Sequence, residues 1–139
     1  MSDECLCEAN AVVMLPCSGG SHCGQVANAA AVQLTYEGLG NMYRLAGIGA
    51  HVAGMLGSTR SAQRVLVIDG CSVACGKKAV EHVGLAVTDY IDVTAAGVEK
   101  NHQYDFDAAH IAAVVNRARS LLQEAPRAEG SAGRCWRSP

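Results

Sequence analysis

Aromatic residues are scarce in this 139-residue chain: one Phe, one Trp and four Tyr. A core built around large rings is therefore excluded, and Val, Ile, Leu, Met and Ala must fill it. Excess charge of either sign is also missing. The net charge is −2, so no basic face is implied and nucleic acid is not an expected partner. Long apolar runs are absent. The longest weakly apolar stretch, Ala46 to Gly57, is about a dozen residues and is broken by His51, against the ~20 a membrane-spanning helix needs. The opening Met1-Ser-Asp-Glu-Cys5 has neither a basic nor an apolar segment of the secretory kind. The expectation is a cytoplasmic protein without membrane contact.

What the chain has is Gly, at 15 residues, and Cys, at seven. An odd cysteine count in a reducing compartment argues against a disulfide framework and for metal or redox chemistry. Half of the residues are apolar, enough for one globular domain.

Hydrophobic patterning alternates between two periods. Ala11-Val-Val-Met-Leu15 reads as a buried strand closed by Pro16, Tyr43 to Ile48 as a weaker one, Arg64-Val-Leu-Val-Ile68 as the clearest, and Leu85 to Val93 as the fourth. Helical spacing is found over Gly24 to Gly38, Ala50 to Ser61, Ser72 to His82 and Asp107 to Glu124, the last with Asp105 or Asp107 as its cap. The order β-α-β-α-β-α-β-α predicts an α/β, doubly wound three-layer sandwich of Rossmann or flavodoxin-like type. Its mainly parallel four-stranded sheet has order 2-1-3-4. The domain spans 9–124; 1–8 and 125–139 read as flexible ends, where Cys5, Cys7 and Cys135 have nothing to position them.

In such a sheet the ligand site lies beyond the carboxyl ends of the strands, where strand order reverses. Strand one runs into Pro16-Cys17-Ser-Gly-Gly-Ser-His-Cys23-Gly24, and strand three into Asp69-Gly70-Cys71-Ser-Val-Ala-Cys75-Gly-Lys-Lys. Cys17 and Cys71 then face each other across neighbouring strand ends. If the third helix starts at Ser72, Cys71 lies near its positive end and Cys75 follows on the same face one turn later. Two thiolates at that spacing can hold a soft metal ion. Cys17 makes a trigonal set, and Cys23 or His22 closes a tetrahedron suited to zinc. Lys77 is placed to neutralise such a cluster, and His102 to line its rim. His51, His82 and His110 read as surface residues. The Ser18 to Ser21 loop lacks the Gly-Lys-Ser/Thr ending of a phosphate loop, and Gly47-Ile-Gly49 is no dinucleotide fingerprint.

The run Val67-Ile-Asp69-Gly70-Cys71-Ser-Val-Ala-Cys75-Gly-Lys77-Lys78 resembles the signature of the DGC-domain family, small prokaryotic proteins described as zinc-binding. Cys17-Ser-Gly, Gly24-Gln-Val-Ala-Asn28, Leu45-Ala-Gly-Ile-Gly49 and Lys100-Asn-His102 resemble further family segments, in family order. The resemblance implies chelating cysteines, which Cys17, Cys71 and Cys75 match. Where the family often has a cysteine just before Leu-Ala-Gly-Ile-Gly, this chain has Arg44 and instead carries Cys23. The reading is a zinc protein with Cys17, Cys23, Cys71 and Cys75 as ligands. The alternative is a thiol redox protein using Cys71 with Cys17 or Cys75, and an iron–sulfur protein is third. Whether the protein is an enzyme, which substrate or protein partner it meets and in what oligomeric state are not written in this pattern.

Overall fold

The computed structural model describes residues 11–105 and 107–124. The two proposed flexible ends, with Cys5, Cys7 and Cys135, lie outside the described residues.

Four strands form one sheet: β1 (Val12–Pro16), β2 (Asn41–Met42), β3 (Arg64–Asp69) and β4 (Asp89–Asp92). Their order is β2-β1-β3-β4 and every pairing is parallel, as the apolar runs predicted. Among the described residues four helices connect them and a fifth follows β4: α1 (His22–Tyr36), α2 (Leu45–Gly49), α3 (Ala53–Ser61), α4 (Cys75–His82) and α5 (Ala108–Gln123).

Alternation along the central strands splits the core in two. Met14, Leu66 and Ile68 turn to one face and meet α1 and α5, through Val26, Ala27, Ala30, Leu34, Val114 and Ala118. Val13, Leu15, Val65 and Val67 turn to the other and meet Ile48 of α2, Val80 of α4 and Leu85. This is the three-layer arrangement. Ala27, Ala30 and Ala31 are fully buried; small side chains let α1 lie close to the sheet where rings are not available to fill space.

Two strands depart from the sequence reading. Tyr43 to Ile48 is not a strand. The ladder ends after Tyr43, whose amide donates to the Met14 carbonyl at 2.7 Å, and a helical turn starts at Leu45. Leu45 and Ile48 are three residues apart, and a helical turn sends both into the core beside Val13 and Leu15. The fourth strand is shorter than Leu85 to Val93. Leu85 instead closes α4, its amide donating to the Val80 carbonyl at 3.1 Å. The last helix is as expected, with the Asp107 carboxylate accepting from the Ala109 and His110 amides at 2.8 and 3.2 Å. No helix among the described residues is long and apolar enough to cross a membrane.

Arg64 locks the other end of the sheet. Its Nε and Nη2 donate to the two Asp89 oxygens at 3.0 and 2.8 Å. Its remaining donors reach the Leu121, Leu122 and Glu124 carbonyls at the end of α5, at 2.9, 3.0 and 2.8 Å. The Asp89 side chain is 3% exposed, so removing its partner strands a buried carboxylate. Arg64→Ala is expected to lower unfolding free energy by about 3–5 kcal/mol in urea titrations. A loss below about 1 kcal/mol would show that this pair is no more than a surface ion pair.

Candidate functional site

The carboxyl ends of β1 and β3 lie side by side. The Cys17 amide donates to the Ile68 carbonyl at 2.8 Å, one residue past the Pro16–Ile68 register pair. Cys17 and Cys71 therefore leave adjacent strands at the same edge, as expected, and both are half-buried.

Asp69, the last residue of β3, is 1% exposed. Its carboxylate accepts from the Gly76 amide at 2.8 Å, the Lys77 amide at 3.0 Å and the Tyr90 hydroxyl at 3.1 Å. It thus caps α4 from the sheet, taking two of the amides that a helix start leaves without partners. The residue in the cap position, Ala74, has no side-chain bond to offer and sits in the left-handed region at φ 57°. Burial raises the Tyr90 hydroxyl, and the Asp69 charge raises it further, so the phenol stays protonated as the donor.

This start corrects the placement of the cysteine pair. Ala74 interrupts the helical path, so α4 begins at Cys75 and not at Ser72. Cys71 lies in the preceding turn, whose carbonyl accepts from Ala74 at 3.1 Å. Cys71 and Cys75 are not two positions on one helix face; Cys75 is exposed on the first turn.

Glycines weld the two cysteine loops together. A methyl group on Gly70 would lie 2.7 Å from the Gly24 amide nitrogen. One on Gly24 would lie 2.7 Å from the Gly19 carbonyl oxygen, and one on Gly76 only 2.6 Å from the Asp69 Oδ1. Backbone meets backbone at the first two positions, which only glycine allows.

The remaining candidates divide. Cys23 is fully buried as the second residue of α1, behind a Ser21 cap, and its Sγ reaches the Val98 carbonyl at 3.8 Å. Burial pushes its thiol up, and the negative charge of Cys71 adds to that shift. His22 is 2% exposed. Its ring stands edge-on to His110 of α5, 5.0 Å between centres, and its amide donates to the Asn101 carbonyl at 2.8 Å. The Lys77 ammonium lies over the Tyr90 ring at 5.1 Å, a cation–π contact. Arg44 is exposed at the start of α2. His102 is exposed on the loop after β4.

Sequence reasoning met Lys100 only inside a family-like segment and gave it no role. Its Nζ lies 3.4 Å from Cys71 Sγ. The loop carrying it is tied to α1 by the His22–Asn101 and Cys23–Val98 contacts, so the ammonium is delivered to the sulfur by a held segment. A lysine after the fourth strand, at the edge where the thiols gather, is the one signal that pointed to it.

Thiols are the soft donors that zinc favours. Their placement does not form a cage: among the described residues, no group of three or more His, Cys, Asp or Glu stands where one metal ion could be held.

The family profile described as DGC domain matches residues 13–118. The chain is also similar to a protein of Pseudomonas aeruginosa named anaerobic and virulence modulator AnvM, 30% identical over 92 residues, which cover 66% of this chain and 70% of the relative. No solved structure matches.

Two measurements check the site's construction. Gly70→Ala is expected to destabilise the fold by about 1–3 kcal/mol, since backbone must move. Gly57→Ala, in α3 with nothing within 4 Å, should stabilise it by about 0.5–1 kcal/mol. Equal effects would show that the Gly70–Gly24 approach is slack. The second concerns alkaline pH. A thiol raised in the folded state contributes stability below its unfolded value of about 8.5 and loses it as pH climbs through the folded value. The fall in unfolding midpoint above that pH should therefore be shallower in Cys23→Ala than in the wild type. Parallel curves would show that Cys23 is not held neutral by burial.

Proposed function

The chain belongs to the DGC-domain family, and from that premise we propose that it works through Cys71 as a reactive thiolate, with Cys17 as its resolving partner. The observation that carries this reading is the Lys100 ammonium 3.4 Å from Cys71 Sγ. A hydrogen bond from a cation stabilises an anionic acceptor more than a neutral one, and the thiolate is the nucleophilic form. The chemistry is thiol oxidation. Cys71 attacks the O–O bond of a peroxide, and water leaves after protonation, giving a sulfenic acid. The Cys17 thiol then displaces a second water and forms the disulfide. Two thiols and one peroxide become one disulfide and two waters. The Pseudomonas relative's name, anaerobic and virulence modulator, accords with a site whose state follows oxidant supply.

Zinc is the second reading, on donor chemistry. Cys17 and Cys71, on two loops, and Cys75, at the start of α4, are three thiols at one edge, none fully buried. Cys23, held on the Val98 carbonyl, is the least available as a fourth. This reading asks residues 71–75 to close on Cys17.

One experiment separates the two. The reduced chain, desalted under nitrogen, is assayed for zinc and treated with one equivalent of hydrogen peroxide. The expected product lacks two hydrogens, with the link mapped by mass spectrometry to Cys17 and Cys71. Lys100→Met should slow iodoacetamide labelling of Cys71 at neutral pH, leaving Cys75 unchanged. One zinc per chain that disappears in both Cys71→Ser and Cys75→Ser would replace the redox reading with the metal reading. Labelling of Cys71 no faster than Cys75, with no disulfide, overturns the first.

A further inference from the structure

A second chemistry lies at the far end of α4. Among the described residues, three helices end in the same way. After α1, the Gly38 amide donates to the Thr35 carbonyl and the Leu39 amide to Leu34, at 3.0 and 3.1 Å. After α4, Gly84 donates to Glu81 and Leu85 to Val80, at 3.0 and 3.1 Å. After α2, the donors are His51 to Ile48 and Val52 to Gly47, at 3.1 and 3.0 Å. This is the Schellman closure, whose pivot must take the left-handed conformation and is ordinarily glycine. Gly38 and Gly84 hold it at φ 77° and 75°, whereas in α2 the pivot is His51, at φ 59°. A β-carbon there is a conformational cost that the chain avoids at both sister positions.

What the imidazole gains is a neighbour. The His51 ring lies 5.6 Å, centre to centre, from that of His82, the last residue of α4. Both residues are exposed, and α2 packs against α4, so two anchored elements present the two rings. Two imidazoles whose nitrogens sit about 2.0–2.1 Å from one ion bring their ring centres to roughly 5 Å. Both residues also stand at the carboxyl end of a helix, the negative end of its dipole. The closer pair, His22 and His110, has the opposite setting: both belong to the first turns of α1 and α5, where a cation is disfavoured.

We infer that His51 and His82 form a two-imidazole site for a hydrated borderline divalent cation of the zinc, nickel or copper kind. The site stands apart from the thiols, roughly 10 Å along the α4 axis from Cys75, and does not depend on the thiolate reading.

The probe is zinc chloride, titrated into the full reduced chain while the ring-proton resonances of its five histidines are followed by NMR. His51 and His82 are expected to shift together along one binding curve. His82→Ala should weaken the His51 response about tenfold or more. His51→Gly should abolish the His82 response while raising the thermal midpoint, since glycine suits the pivot; this variant keeps the test independent of misfolding. Zinc taken up at the cysteines alone would leave both rings unmoved, which overturns this inference without touching the thiolate one. Separate curves for the two rings, or an unchanged His51 affinity in His82→Ala, would overturn it as well.

Discussion

The Asp69 carboxylate is the constraint from which the carboxyl edge of this sheet is built. It is a buried charge, and a buried charge persists only where hydrogen bonds replace water. Three do so: the Gly76 and Lys77 amides and the Tyr90 hydroxyl. The two amides tie the first turn of α4 to the end of β3, and the hydroxyl ties the edge strand β4 to it. Gly76 follows as a necessity, because a side chain there would collide with the Asp69 oxygen it donates to. The turn from Gly70 to Ala74 then has both ends pinned, and Cys71 rides on it. In the Asp-Gly-Cys signature the aspartate and the glycine are thus the frame and the cysteine is what they present.

The same frame explains why Lys100 meets a sulfur. Gly70 lies against the first turn of α1, so that turn, carrying His22 and Cys23, is fixed relative to Cys71. The loop after β4 is in turn hung on that helix end through the Asn101 and Val98 carbonyls. Lys100 lies between these two contacts in the chain. Its flexible stem needs little further guidance once both flanks are anchored, and a long side chain held this way loses less freedom when its ammonium bonds. Cys23 belongs to this scaffold. Its burial and raised thiol value suit a packing role.

Strand order was legible because four apolar runs separated by helical patterns admit few parallel topologies once crossovers are right-handed. Boundaries were less so, for identifiable reasons. Leu45-Ala-Gly-Ile-Gly49 has strand-like hydrophobicity but only two large residues, and their spacing of three fits a helical turn better than a pleat. Ala74 carries no turn preference, so its left-handed conformation, set by the capture of the following amides on Asp69, leaves no local mark. That single residue moved the start of α4 and broke the expected helical pairing of Cys71 with Cys75. Ser21 caps α1 by accepting from the Gly24 amide; this places His22 and Cys23 inside α1 and away from the loop where the sequence reading set both.

Placing cysteine and histidine at opposite ends of α4 follows the electrostatics of the helix itself. A thiolate carries negative charge and gains from the free amides of an N-terminal turn; an imidazole that binds a proton or a metal carries positive charge and gains from terminal carbonyls. Cys75 opens α4 and His82 closes it. The Asp69 carboxylate occupies two of the opening amides, which removes them as partners for sulfur. The positive group that Cys71 meets is accordingly not the helix but the Lys100 ammonium, brought from another loop. Capping from the sheet fixes where α4 starts and leaves the charge opposite Cys71 to a side chain. A side chain can be withdrawn or exchanged as a helix end cannot, so on the thiolate reading proposed above the reactivity of this edge is set by a side chain brought from another loop.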